Sequence, residues 1–163
     1  MSDTPTARPS DGQRPVVAVA GASGFIGSAL APVLRERVRL VGLTRSDRRS
    51  IPNYDEVRQA DLFSRLDSRA ALHNVDFAIY LVHSMMPSAR LVQANFRDLD
   101  VLCADNFAQG AAAQGVRHIV YVGGLQPHTQ TNSMHLQSRL EVEEILSSYG
   151  VPVTTLRAGM IVG

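Results

Sequence analysis

Three glycines, Gly21, Gly24 and Gly27, break the apolar run VVAVAGASGFIG at a spacing of Gly-x-x-Gly-x-x-Gly. Such a triplet can simply turn a chain where a strand meets a helix, with glycine serving packing alone. It can also bring backbone against a phosphate. In that case the first glycine makes the tight turn, the second removes a side chain where a pyrophosphate would lie, and the third lets the helix pack close to the sheet. The N–H groups at the helix start then supply partial positive charge, and Ser23 adds a hydroxyl donor. The triplet follows an apolar strand and opens an amphipathic helix, within a chain that repeats the alternation, and this context favours the phosphate reading. Gly21, Ser23, Gly24, Phe25, Ile26 and Gly27 are therefore the first candidate cofactor contacts.

Further candidates lie at later strand ends. A site selective for NAD wants an acidic residue after the second strand, to accept from both ribose hydroxyls. This sequence has Thr44-Arg45-Ser46 there, with Arg48 and Arg49 close behind. A guanidinium can fork onto a 2′-phosphate that a carboxylate would repel, so Arg45 points to NADP(H) in preference to NAD(H), which stays possible. Arg48 and Arg49 read better as solvated loop charges. His83 stands at the carboxyl end of the fourth strand, where ligands bind in open parallel sheets, and its expected task is to line the cleft. His135 and Arg139 fall four residues apart on one helix face. The histidine has the pKa range to donate a proton, whereas the arginine cannot be deprotonated and could serve only as a ribose or phosphate clamp. Arg139 can equally pair with Glu143 one turn later. The five histidines and the one cysteine show no metal-ligand spacing, and no metal site is expected.

Short β-branched runs alternating with amphipathic stretches must position these residues. VVAVA (16–20) reads as a buried strand, and Phe25, Ile26, Ala29, Leu30, Val33 and Leu34 recur at helical spacing after it. Pro32 inside that helix predicts a kink or an early end. Strands are expected at 38–44, 57–62, 76–82, 116–124 and 151–159. Helices are expected at 64–73, with Ser64 as N-cap, at 88–114 and at 133–149. The stripe of Val92, Phe96, Leu99, Cys103 and Phe107 on the long helix is core packing, which makes Cys103 a buried structural thiol. With right-handed crossovers the pattern predicts an α/β, doubly wound parallel sheet of order 3-2-1-4-5-6 with helices on both faces, the Rossmann arrangement.

The wording Gly-Ala-Ser-Gly-Phe-Ile-Gly resembles the short-chain dehydrogenase/reductase superfamily in its extended and atypical branches. Asp61-Leu62 looks like the pair that holds adenine there, and Leu81, Val82 and His83 occupy the strand end that passes under the ribose. The stretches 106–125, 135–143 and 156–159 look like a bacterial subgroup of NmrA-like NAD(P)H-binding proteins, also described as epimerase/dehydratase-like. The resemblance implies a dinucleotide cofactor and an oxidoreductase or isomerase acting on a small carbonyl, sugar or quinone-like substrate. It also admits a non-catalytic redox sensor or assembly module. Active members generally carry a Tyr-x-x-x-Lys pair and a nearby Ser or Thr. Here the corresponding positions are His135 and Arg139, and the fifth strand ends in Gly123-Gly124 without a hydroxyl.

Composition bounds the rest. The chain has 163 residues, 45% of them hydrophobic, and a formal net charge of +1, with no basic stripe to suggest nucleic acid or an anionic membrane. No apolar run approaches the roughly 20 residues of a membrane span. A single cysteine excludes an internal disulfide framework, and a reducing cytoplasm is the expected compartment. Residues 1–14 are rich in Ser, Thr, Pro and Asp and are expected to be a disordered tail before a dinucleotide-binding domain at 15–163. Substrate-binding elements in the resembled proteins follow the sixth strand. The apolar ending Met160-Ile161-Val162-Gly163 therefore suggests a truncated chain, or a partner that covers this end.

Overall fold

A computed structural model describes residues 14–47, 50–83, 93–125 and 134–159, and the side chains of 93–97 and 134–136 are left out of the description. All of the expected N-terminal tail but Arg14, and the apolar C-terminal ending, lie outside these residues. So do Arg48, Arg49 and the start predicted for the long helix. Arg14, the first described residue, donates from its guanidinium to the Arg35 carbonyl.

The elements follow the predicted order: β1 (Val16–Ala20), α1 (Phe25–Leu34), β2 (Arg39–Thr44), β3 (Glu56–Gln59), α2 (Arg65–Ala71), β4 (Phe77–Tyr80), α3 (Gln93–Ala113), β5 (His118–Gly124), α4 (Met134–Ser147) and β6 (Val153–Ala158). All neighbouring strands pair in parallel, in one six-stranded sheet of order β3-β2-β1-β4-β5-β6. The predicted doubly wound sheet is what forms. Strand ends are trimmed relative to the apolar runs. The flanking residues instead make single connecting bonds, such as Asp76 N to Val16 O and Arg117 N to Asp76 O.

Alternation along the central strands divides the core in two. Ala18, Ala20, Val41, Leu43, Ala78, Tyr80, Ile119 and Tyr121 face one side, where α2, α3 and α4 supply Leu72, Cys103, Phe107, Ala111, Val142 and Leu146. Val17, Val19, Leu40 and Ile79 face the other, beneath Ala31 and Leu34 of α1. A strand buried on both faces needs apolar residues at consecutive positions, which is why β1 reads VVAVA. The Tyr80 and Phe107 rings meet at 5.0 Å between centroids, tilted by 58°, at the centre of the first core. Cys103 is buried there as expected, and desolvation pushes its thiol up to about 12. Such a thiol is inert at neutral pH.

Two local features follow sequence chemistry closely. Ser64 caps α2 by accepting from the Asp67 N–H at 3.2 Å. Helix α1 continues through Pro32 to Leu34 and does not end at the proline, which leaves the Ser28 carbonyl without its helical N–H donor. The crossover from β2 to β3 carries no helix among its described residues. It places Ile51, 5% exposed, and the ring of Tyr54 on the α1 side of the sheet, so that two side chains cover what a helix covers elsewhere. No helix among the described residues is long and apolar enough to cross a membrane.

Candidate functional site

The order of the sheet reverses between β1 and β4, and open parallel sheets bind ligands in the crevice outside the carboxyl ends at that point. Gly21 leaves β1 there with φ of 89°, a left-handed conformation open to glycine and strained for a side chain. A Cβ at Gly21 would stand 3.2 Å from the Leu81 Cβ at the end of β4, so the two strand ends close on each other at the turn. Gly24 N–H returns to the Gly21 carbonyl at 3.0 Å and seals it. Gly27 lies deeper, where an added Cβ would meet the Gly21 carbonyl oxygen at 2.5 Å and that of Ala22 at 2.8 Å. The first glycine thus turns the chain and the third seats the helix.

The helix start is left open. Gly24 is the N-cap of α1, no side chain caps the first turn, and no acidic residue lies in it. Ser23, Gly24 and Phe25 are exposed, whereas Ile26 is half-buried and Gly27 is buried. A helix N-terminus with uncapped donors and no side chain above them has the polarity and the space that a pyrophosphate requires. The residues present fit a dinucleotide.

Around this turn the chain places its other candidates at the same edge of the sheet. Arg45 follows β2 and is exposed; its carbonyl accepts from Gln59 Nε2 at 3.2 Å, and its guanidinium has no hydrogen-bond or ion-pair partner among the described residues. Thr44 and Ser46 join through their hydroxyls at 2.9 Å, which holds the backbone on either side of Arg45. Asp61 is exposed and accepts from the Phe63 N–H through one carboxylate oxygen, and this turn leads into the Ser64 cap. Leu62 is buried beneath it. Leu81, Val82 and His83 are half-buried after β4, with the Leu81 N–H bonded to the Ala20 carbonyl.

Asn106 was not singled out as a site residue from the sequence. It reaches from α3 to donate to the Leu62 carbonyl at 2.9 Å and to the Phe63 carbonyl at 3.1 Å, fixing the turn that carries Asp61. Its signal was an amide beside Phe107 on an otherwise apolar stripe, because a buried amide must find partners.

Of the expectations for His135 and Arg139, the pairing of Arg139 with Glu143 is not what forms. Both lie in α4, one turn apart, and the His135 side chain is outside the described residues. Arg139 does not join Glu143, which accepts instead from Arg157 of β6 at 3.1 Å. Arg139 Nη1 points across to His83 Nε2 at 3.2 Å. A guanidinium only donates, so Nε2 must be the acceptor and the imidazole is neutral. Burial and the Arg139 charge both hold the His83 pKa below its ordinary 6.5, against a smaller upward pull from Asp100 and a bond to the Val122 backbone. The His83 ring stands edge-on to Tyr121 at 6.3 Å.

This neutral ring makes stability depend on pH. Unfolded His83 takes up a proton near 6.5 while the folded ring resists it, so the stabilisation is complete above that value and drains away as pH falls below it. The melting temperature is expected to fall between about pH 7 and pH 5 with a smaller slope in His83→Gln than in the parent. Parallel slopes in the two proteins would show that the ring titrates normally.

The residues for a phenol-based proton relay are otherwise engaged. All four tyrosines are described. Tyr80 and Tyr121 are buried in the core, Tyr121 donating to the Arg139 carbonyl. Tyr54 donates to Gly27, and Tyr149 to Asp105. The sequence contains no lysine: its sixteen basic residues are all arginine. No group of metal-ligating side chains occurs among the described residues.

Comparison with known proteins accords with this geometry. A family model described as NAD(P)H-binding matches residues 21–162. The auxiliary protein GraX of Staphylococcus aureus is 28% identical over 144 residues, which cover 87% of this chain and 43% of that protein. The chain therefore spans less than half the length of this relative. Among solved structures, the Bordetella bronchiseptica enzyme WbmH in complex with NAD+ superposes with a TM-score of 0.71 at 21% identity, over 89% of this chain and 56% of that one. The NADPH-dependent quinone oxidoreductase QOR2 of Escherichia coli, complexed with NADPH, gives 0.67 at 24% identity, over 86% and 48%.

Proposed function

The chain belongs to the NAD(P)H-binding family, and from that premise we propose that it binds NADP(H) along the carboxyl edge of its sheet as the cofactor half of an oxidoreductase-type protein. The observation that carries the cofactor preference is Arg45, exposed and without a hydrogen-bond or ion-pair partner among the described residues, at the strand end where an NAD-selective site would hold a carboxylate. Asp47, two residues further on, is exposed as well, and it lies beyond the strand-end position that faces the ribose. The Gly21–Gly27 turn takes the pyrophosphate on the uncapped N–H groups of α1. Asp61 and Leu62 bound the adenine, with Asn106 holding their turn. Leu81, Val82 and His83 line the floor toward the nicotinamide ribose.

A bound nicotinamide supplies hydride transfer by itself, to an acceptor held close to it. The chain contributes orientation, and Arg139 contributes positive charge where the family usually has a lysine. Arg139 is held on a neutral His83, so this pair orients the site and does not pass a proton through the arginine. His135, in the first turn of α4, is the remaining candidate for proton donation to a small carbonyl or quinone-like acceptor.

A second reading, a dinucleotide-responsive module without turnover, is favoured by the engaged tyrosines and the absent lysine. Thermal shift tests the shared step. NADPH is expected to raise the melting temperature more than NADH at equal concentration. Equal shifts would remove the role given to Arg45, and no shift with either would remove the cofactor assignment. NADPH oxidation with carbonyl and quinone panels then separates the readings, since turnover lost in His135→Ala is expected only of the first.

A further inference from the structure

Tyr54 connects two parts of the cleft that the chain otherwise keeps apart. Its hydroxyl donates to the Gly27 carbonyl at 2.9 Å. Its ring lies against β2 at Gly42, where a Cβ would stand 3.1 Å from the ring and 3.0 Å from the Ala22 Cβ. Gly42 therefore leaves open the space that the ring fills. One phenol touches β2, the strand that ends just before Arg45, on one side, and on the other the helix that begins at the glycine turn. Helix α1 is weakened at this height, because Pro32 lacks the N–H that would bond the Ser28 carbonyl, one residue beyond Gly27.

Tyr54 also fixes the far end of the crossover that starts at Arg45. Its N–H bonds the Ile51 carbonyl at 3.2 Å, and Ile51 is buried. Asp55 is tied to β2 twice, from its N–H to the Leu40 carbonyl at 3.0 Å and from its carboxylate to the Leu40 N–H at 2.8 Å. The Tyr54 hydroxyl is the cross-brace between this anchored return and the pyrophosphate turn.

We infer that Tyr54 is a positioning residue for dinucleotide binding, its hydroxyl holding the glycine turn in register with the β2 edge so that pyrophosphate and 2′-substituent are met together. The inference rests on the cofactor reading given above. Tyr54 acts through Gly27 and the crossover, on the α1 side of the sheet, and not by touching the ligand. Desolvation lifts its pKa to about 12, so the hydroxyl keeps its proton and its donor role throughout the working range.

Tyr54→Phe keeps the ring and removes the brace. Titration of the full chain with NADPH and with ADP, which has the pyrophosphate but no nicotinamide, is expected to show both dissociation constants rising by about threefold to tenfold, the net worth of one hydrogen bond. Far-UV circular dichroism should match the parent. Gly42→Ala, which keeps the hydroxyl but crowds the ring, is expected to weaken both ligands in the same way and serves if the first variant folds poorly. A lower melting temperature with dissociation constants within twofold of the parent would make the hydroxyl purely structural and overturn the inference. A parent that binds neither ligand would overturn the cofactor reading itself, and this inference with it.

Discussion

Replacing Gly27 with alanine is expected to abolish the melting-temperature rise produced by NADPH and to lower the unfolding free energy by about 2–3 kcal/mol, as crowding of a packed interior does. The added methyl would lie 2.5 Å from the Gly21 carbonyl oxygen, 2.8 Å from the Ala22 carbonyl oxygen and 2.9 Å from the Ala22 Cα. All three are backbone atoms, so no side chain can swing aside, and α1 has to move outward as a body. That motion lifts Ala31 and Leu34 from Val17 and Val19 and stretches the Tyr54 bond to Gly27. It also displaces the first-turn N–H groups from the phosphate position. Urea unfolding measures the first effect and a cofactor thermal shift the second. Parent-like stability in the variant would mean that the contact is relieved locally, and the seating role given to Gly27 would fall.

Gly24→Asp separates binding from folding, and so tests the turn more sharply. Gly24 has φ of −76° and ψ of 172°, extended backbone that any residue adopts, and it occupies an N-cap with no side-chain hydrogen bond. Aspartate is a favoured cap and its charge suits the helix dipole, which offsets the 3.2 Å approach of the new Cβ to the Gly21 carbonyl. Unfolding free energy is expected to stay within about 1 kcal/mol of the parent. Binding is another matter, because the carboxylate would take the N–H groups meant for the pyrophosphate and repel its charge. The NADPH-induced shift is expected to vanish at concentrations that saturate the parent. Gly24→Ala, with no charge, should retain part of it. Full binding by the aspartate variant would place the phosphates elsewhere.

The arrangement of the sheet was legible because its signals are local and repeated. VVAVA reads by its length and composition as a strand buried on both sides, Ser64 marks a helix start by its own hydrogen-bond chemistry, and each parallel pair demands a crossover of fixed hand. The expected NAD(P)H-binding family is borne out by the family match, and the doubly wound sheet by the fold. What stayed hidden depends on which side chains meet across the fold. Arg139 had a plausible partner in Glu143 four residues along, but Glu143 is taken by Arg157 from the neighbouring strand, and a histidine 56 positions earlier receives the guanidinium. Asn106 and Tyr54 had partners hidden for the same reason. Each holds a backbone carbonyl that is distant in sequence, and no spacing rule reports such a bond.

The crossover from β2 to β3, without a helix among its described residues, has an engineering consequence. Its return end is pinned by Ile51, Tyr54 and Asp55, whose bonds to Leu40 directly precede the β2–β3 pairing, and its departing end by the Thr44 and Ser46 hydroxyls. A change of length or charge between the two anchors is therefore expected to leave the pairing of β2 and β3 in place.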